Sequence, residues 1–401
     1  MLEAAVTSIV SNIRRDGAGL ATVADPLEAE LFVSGILAMW HATAPQDAEP
    51  LEVLGAAVMQ RLAIEADPDA LAVLLAIASM ALPPFDAAAR AAAELLRRAG
   101  TPQPIWSRSI GRPVLVDAWI STDELDDQSN LLAAFAYERR PPHAINLIID
   151  ANFGGLIRGV FVADNPDKVR REWTNVTGLP IRPLDEQALA DLIGRGIEMF
   201  DVYVGPPVSE EVDELMPLLR ARLRLLPAPR PIETPETTDE ERGAIVDAFA
   251  ASPDAAGLGA VAGGPATDLA RWFVDFACDY GAGDPLRWSP IAVEILLGDW
   301  LPRKATLDQA EIGALPEVLR RFVRFSGQRK GLSDDVVAET LGAVDRFTPD
   351  FVEGMADDER AGPAKQLARE LVAAGIDLTD QSAVQRWIEE RNEGLPLRQP
   401  W

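Results

Sequence analysis

Between Pro113 and Ala163 the hydrophobic pattern changes period, and this limits the fold more than any other feature of the chain. On either side, apolar residues recur every three or four positions, as along one stripe of a helix. Inside the window, Pro113–Ile120 partly alternates and is rich in β-branched and aromatic residues. Leu131–Tyr137, Ala144–Ile149 and Leu156–Ala163 read as further strands. Short links join them, among them Asn152-Phe153-Gly154-Gly155, whose glycines accept positive φ. A parallel pair would need a crossover of about a dozen residues, so the strands are expected to form an antiparallel meander.

The flanks read as helices. Asp25-Pro26, Glu49-Pro50 and Asp67-Pro68 each set a capping acid before a first-turn proline. Their unequal spacing describes a helical array without a repeat period. After the strands, helices are expected over Asp185–Phe200 and Ser209–Leu225. A proline-rich stretch from Leu226 to Asp239 reads as a stiff linker. Beyond it, Leu269, Trp272, Phe273, Phe276, Ala277 and Tyr280 form a core-facing stripe. Ile291–Trp300, Leu315–Phe325, Ser333–Phe347, Ala364–Ala374 and Gln381–Arg391 complete a helical bundle. The expected fold is therefore α+β, mainly α: a helical domain over 1–104, an α+β domain over 105–226, a linker over 227–240 and a helical domain over 241–401.

Composition narrows the function classes. The 401 residues carry 63 acids against 37 bases, a net charge of −26 that disfavours a surface built to grip nucleic acid or anionic lipid. One cysteine, Cys278, excludes an intrachain disulfide and a four-cysteine metal site. Two histidines, His41 and His143, exclude a three-histidine site. The longest uncharged runs, Leu31–Gln46 and Ala70–Phe85, have 16 residues each, short of the ~18 of a membrane span. With no secretory pattern at the start, a cytoplasmic protein is expected.

Two segments carry a resemblance. Asp279-Tyr280-Gly281-Ala282-Gly283-Asp284-Pro285-Leu286-Arg287-Trp288-Ser289-Pro290, with Trp300-Leu301-Pro302-Arg303-Lys304, resembles part of a group of uncharacterised proteins of high-GC actinobacteria. Ile149-Asp150-Ala151-Asn152-Phe153-Gly154-Gly155 before Val160-Phe161-Val162 is similar to a mid-chain segment of that group. Among the 37 bases the strong preference for arginine over lysine fits such a genome. The resemblance implies a shared architecture and no particular activity.

The leading enzymatic candidates are acids of the sheet. Asp117 lies within the first expected strand, while Glu138, Asp150 and Asp164 end the second, third and fourth. Two or three such carboxylates meeting on a divalent cation would suit phosphoester hydrolysis, with Arg158 facing the phosphate. Alternate strands of a meander point in opposite directions, however, so only a subset could meet. Solvated strand ends, and an exposed Asp150–Arg158 ion pair across the hairpin, are the preferred reading. The glycine-rich Gly257–Gly264 lacks the strand before and helix after that a dinucleotide loop requires. Cys278, between Asp275 and Asp279, lacks a neighbour that would activate a thiol.

Residues 301–331 read as the one basic island of the chain, with Arg320, Arg321, Arg324, Arg329 and Lys330 as candidate partner-binding residues. A loose helix-turn-helix pattern follows, but its second helix opens with acids that would repel phosphates. The sequence is thus read as a non-catalytic interaction or regulatory protein with a protein partner, no cofactor and no metal. A metal-dependent hydrolase using the sheet acids and a nucleic-acid-associated regulator using the basic island are the alternatives.

Overall fold

The computed structural model describes the chain except residues 1, 43–47, 65–66, 204, 232–236, 259–265, 358–359, 361, 363–364, 368–369, 372–373, 377–381 and 388–401. For 2, 41–42, 48–52 and 177 it describes the backbone alone. The fold is α+β, mainly α, and separates into two compact units, Met1–Glu233 and Thr234–Trp401.

The first unit opens with five helices, α1 (Leu2–Asp16), α2 (Pro26–Ala42), α3 (Ala48–Leu62), α4 (Pro68–Met80) and α5 (Phe85–Arg98). The expected caps are in place at two of the three starts. Asp25 accepts the Leu27 N–H at 3.0 Å and Asp67 that of Asp69 at 2.9 Å. The side chains of the third start, Glu49-Pro50, lie outside the described residues. α4 carries apolar residues all round, as a central helix must, and nine of its thirteen residues are buried. A run of hydrogen-bonded turns over 105–111 then leads into the sheet.

The strands are β1 (Val114–Thr122), β2 (Gln128–Ala136), β3 (His143–Asp150) and β4 (Leu156–Ala163), followed by α6 (Pro166–Thr177), a short β5 (Ile181–Pro183), α7 (Glu186–Val202) and α8 (Glu210–Leu223). The sheet order is β4-β3-β2-β1-β5, antiparallel throughout. Strand alternation divides its faces. Leu131, Ala133, Phe135, Ile145, Leu147 and Ile149 face the main core, while Leu132 and Ala144 meet Val169 on the other face, where α6 packs.

Residues 1–104 and 105–226, expected to be separate domains, share one hydrophobic core that runs from Val6 and Leu71 through Phe135 to Leu219. The pairing of α2 with α8 shows how closely they join. The Ser34 hydroxyl donates to the Glu214 carbonyl at 2.6 Å and accepts the Leu218 N–H at 3.2 Å. It thereby bridges a helix turn of α8 beside its internal Pro217.

The second unit is helical: α9 (Asp239–Ala250), α10 (Ala266–Asp279), α11 (Pro290–Ile295), a wide π-type turn over Leu296–Trp300, α12 (Leu301–Lys304), α13 (Gln309–Lys330) and α14 (Asp334–Ala356). Its own core centres on Phe249, Phe273, Phe276, Trp288 and Phe322, whose rings meet at centroid distances of 5.1–6.0 Å. Reciprocal caps start α9 (Thr238 with Glu241) and α13 (Asp308 with Glu311). The expected helices Ala364–Ala374 and Gln381–Arg391 fall largely outside the described residues; within them, 365–367, 370–371 and 382–387 are helical. No helix among the described residues is long and apolar enough to cross a membrane.

Candidate functional site

The four acids of the hydrolase reading do not come together. The register sets Asp150 opposite Gln128 at one end of the sheet. Glu138 and Asp164 follow the strand ends at the other, where Phe135 pairs with His143 and Ala144 with Ala163. Asp117, Glu138 and Asp164 are exposed. Among the described residues, no three His, Cys, Asp or Glu side chains lie close enough to hold a metal ion.

Asp150 does pair with Arg158 across the hairpin, at 3.1 Å, but the pair is not the exposed one expected: the carboxylate is fully buried. Its other oxygen accepts the Asn152 N–H at 2.9 Å, and the Asn152 amide donates to Asp127 at 2.9 Å. Arg158 also donates to the Pro207 carbonyl at 3.0 Å and lies over the Phe153 ring. Asp150 is therefore bound into the hairpin tip by both of its oxygens.

The basic island is likewise used within the chain. Arg320 donates to Asp345 at 2.9 Å, Arg321 to Glu317 at 2.8 Å and Lys330 to Asp284 at 2.7 Å. Arg329 stacks on Phe325, leaving Arg324 exposed and without an ion pair among the described residues. Arg320, Arg321, Arg324, Arg329 and Lys330 thus do not make the free cationic face that a partner-binding set needs. Cys278 is half-buried, and burial raises its thiol pKa. The His41 side chain and residues 259–264 of the glycine-rich loop lie outside the described residues.

The chain has a second basic island, in addition to the one expected. Residues 90–112 hold five arginines and a single acid, Glu94. Four of the five, Arg90, Arg97, Arg108 and Arg112, line one pocket of about 560 Å³ with Ser79, Ser107, Leu75, Ala78, Ala93, Ile110 and Gly111. Arg90 and Arg97 stand two helical turns apart on α5, while Arg108 and Arg112 come from the turns before β1. Arg90 has an exposed pair with Asp86 at 3.3 Å. Arg97, Arg108 and Arg112 are exposed and have no ion pair or hydrogen-bonded carboxylate among the described residues.

The turns that carry Arg108 and Arg112 are pinned from inside. Trp106 and Ile110 are buried in the main core, so the residues between and beyond them face outward. Gly111 adopts φ +70°, and a Cβ there would come within 2.7 Å of the Ser79 side chain; both facts call for glycine. Arg224 fastens the facing end of α4 by donating to the Ser79 and Met80 carbonyls at 3.2 and 2.7 Å.

Behind these turns lies a buried ionic network. Glu30 accepts the Gly111 N–H on one oxygen; on the other it accepts the Tyr137 hydroxyl and Arg222, the latter at 2.6 Å. Arg222 also donates to the Tyr137 oxygen at 3.0 Å and lies over the Phe135 and Tyr137 rings. Burial opposes the charge of Arg222, but Glu30 and Tyr137 outweigh it and raise its pKa. Burial pushes the Tyr137 phenol upward. His143, stacked on Tyr137, is held neutral, its pKa lowered to about 3 by burial and then by the nearby Arg222 charge. No family model, curated protein or solved structure matches this chain.

Proposed function

We propose that this protein is a non-catalytic binding protein that takes an anionic ligand in the arginine-lined pocket of its N-terminal unit. The observation that carries the reading is the set Arg97, Arg108 and Arg112, gathered on one concavity without a carboxylate partner among the described residues, in a chain of net charge −26. Neighbouring cations repel one another, and a bound anion relieves that repulsion while accepting paired N–H bonds from planar guanidinium groups. A volume of about 560 Å³ suits a small molecule. The scattered sheet acids, and a 301–331 island in which Arg303, Arg320, Arg321 and Lys330 pair within the chain, give the hydrolase and nucleic-acid alternatives less support. The interaction or regulatory role expected from the sequence is retained, with its site moved to the first unit.

Thermal unfolding in pyrophosphate, against sodium chloride of equal ionic strength, tests this. A ligand that binds only the folded state raises Tm with concentration. A rise is expected in the wild type and not in the Arg97→Gln/Arg108→Gln/Arg112→Gln variant, and the pyrophosphate should be recovered intact. An equal rise in the variant, no rise in either, or turnover of the bound anion would overturn the proposal.

A further inference from the structure

We infer that the ligand is a compact, non-aromatic molecule bearing at least two phosphoryl groups. This rests on the pocket being an anion site, as proposed above, and adds the class of anion.

Charge is the first argument. Asp86 pairs with Arg90, leaving three guanidinium groups without a paired acid among the described residues. A carboxylate supplies one negative charge and a phosphate monoester about 1.5 to 2, so neither matches three cations. Two phosphoryl groups do.

Spacing is the second. Arg90 and Arg97 are seven residues apart on α5, and at about 1.5 Å per residue their Cα atoms lie roughly 10 Å apart along the axis. Arg108 and Arg112 approach from a different segment. Guanidinium groups arriving from two walls and along two helical turns suit neighbouring anionic groups better than a single one.

The lining limits the remainder of the ligand. Among the described residues no aromatic side chain lines the pocket, which therefore offers no platform there for stacking a nucleobase. Leu75, Ala78, Ala93 and Ile110 provide an aliphatic wall, and Ser79 and Ser107 provide hydroxyls for a polyol. The negative charge of the whole chain repels an extended polyanion such as a nucleic acid, but weighs less on a small one that enters the pocket completely.

Isothermal titration of the full chain at fixed ionic strength tests the inference with five probes: inorganic phosphate, pyrophosphate, fructose 1,6-bisphosphate, ADP and a hexaglutamate peptide. Pyrophosphate or the bisphosphate should bind at least about tenfold more tightly than phosphate, and whichever is tighter shows whether the phosphoryl groups are joined or separated. ADP should bind no more tightly than pyrophosphate. The exposed Arg97→Gln/Arg112→Gln variant should keep its melting temperature and bind diphosphates no better than phosphate. Equal affinity for phosphate and both diphosphates would overturn the class while leaving the anion site standing. ADP or hexaglutamate as the tightest ligand would also overturn it, whereas binding of none of the five would remove the anion site itself.

Discussion

Glu30 accepts the backbone N–H of Gly111 at 2.8 Å across 81 residues of chain, and so ties a fully buried carboxylate to the loop that carries two of the pocket arginines. The same side chain holds Arg222, which is only 1% exposed. Glu30→Gln keeps the shape but leaves Arg222 buried without its counter-charge. It should cost about 3–5 kcal/mol in urea unfolding, whereas Glu30→Leu/Arg222→Met should cost much less because no lone charge remains. If Glu30→Gln changes stability by less than about 1 kcal/mol, the pair is not the buried mount described above.

His143 gives the first unit a pH dependence of definite sign. Its folded pKa of about 3 lies below the ordinary 6.5, so the unfolded chain binds the proton first. Its contribution to stability is complete above pH 6.5 and is lost as pH falls toward 3, by about 1.4 kcal/mol per pH unit within that window. Between pH 6.5 and 5, before most carboxylates titrate, the wild type should lose about 1.5 kcal/mol more than His143→Phe. Parallel pH profiles for the two proteins would contradict this.

Asp150→Asn separates a structural carboxylate from a metal ligand. Loss of a buried, doubly bonded acceptor beside Arg158 should cost roughly 1–3 kcal/mol, more than a solvent-exposed pair would. Mg²⁺ and Mn²⁺ should leave Tm unchanged in wild type and variant alike. A metal-dependent rise in the wild type that disappears in Asp150→Asn would restore the hydrolase reading.

Phe276→Ala should destabilise the second unit by about 3–5 kcal/mol, because it empties the centre of a ring cluster that includes Trp288 and Trp300. Trp272, on the same stripe, is only half-buried, and its alanine variant should cost less. Each unit has its own core, so Phe276→Ala should leave pyrophosphate binding by the first unit intact. Calorimetry and titration of the same sample would check both statements.

The main strands and most helices could be read from the sequence because each carries its period over eight or more residues. α6 and β5 could not. α6 is mostly polar and sets only a few apolar residues, such as Val169 and Trp173, against the sheet, and β5 is three residues long. α13 and α14 run beyond their expected ends because Pro316 and Pro349 are accommodated inside them. The site was harder to find for a different reason. Glu30 looks like one more acid near a helix start, and Arg222 like one more base near a helix end. Nothing local signals that they meet across 192 residues. The pocket arginines did leave a trace, a run from Leu95 to Val116 that contains no acid. Gly100-Thr101-Pro102-Gln103-Pro104 divides that run, and reading this break as a domain boundary places two arginines on each side of it.

The core shared by the first five helices and the sheet has a consequence for how such a chain can be inherited. A proline-glycine break marks where a backbone turns, not where a protein can be divided. Severed at residue 104, the sheet would present Leu131, Phe135 and Leu147 to water, and the helices would lose the surface that α2 and α4 pack against. Recombination that shuffles folded pieces between genes would therefore have to carry Met1–Glu233 as one block.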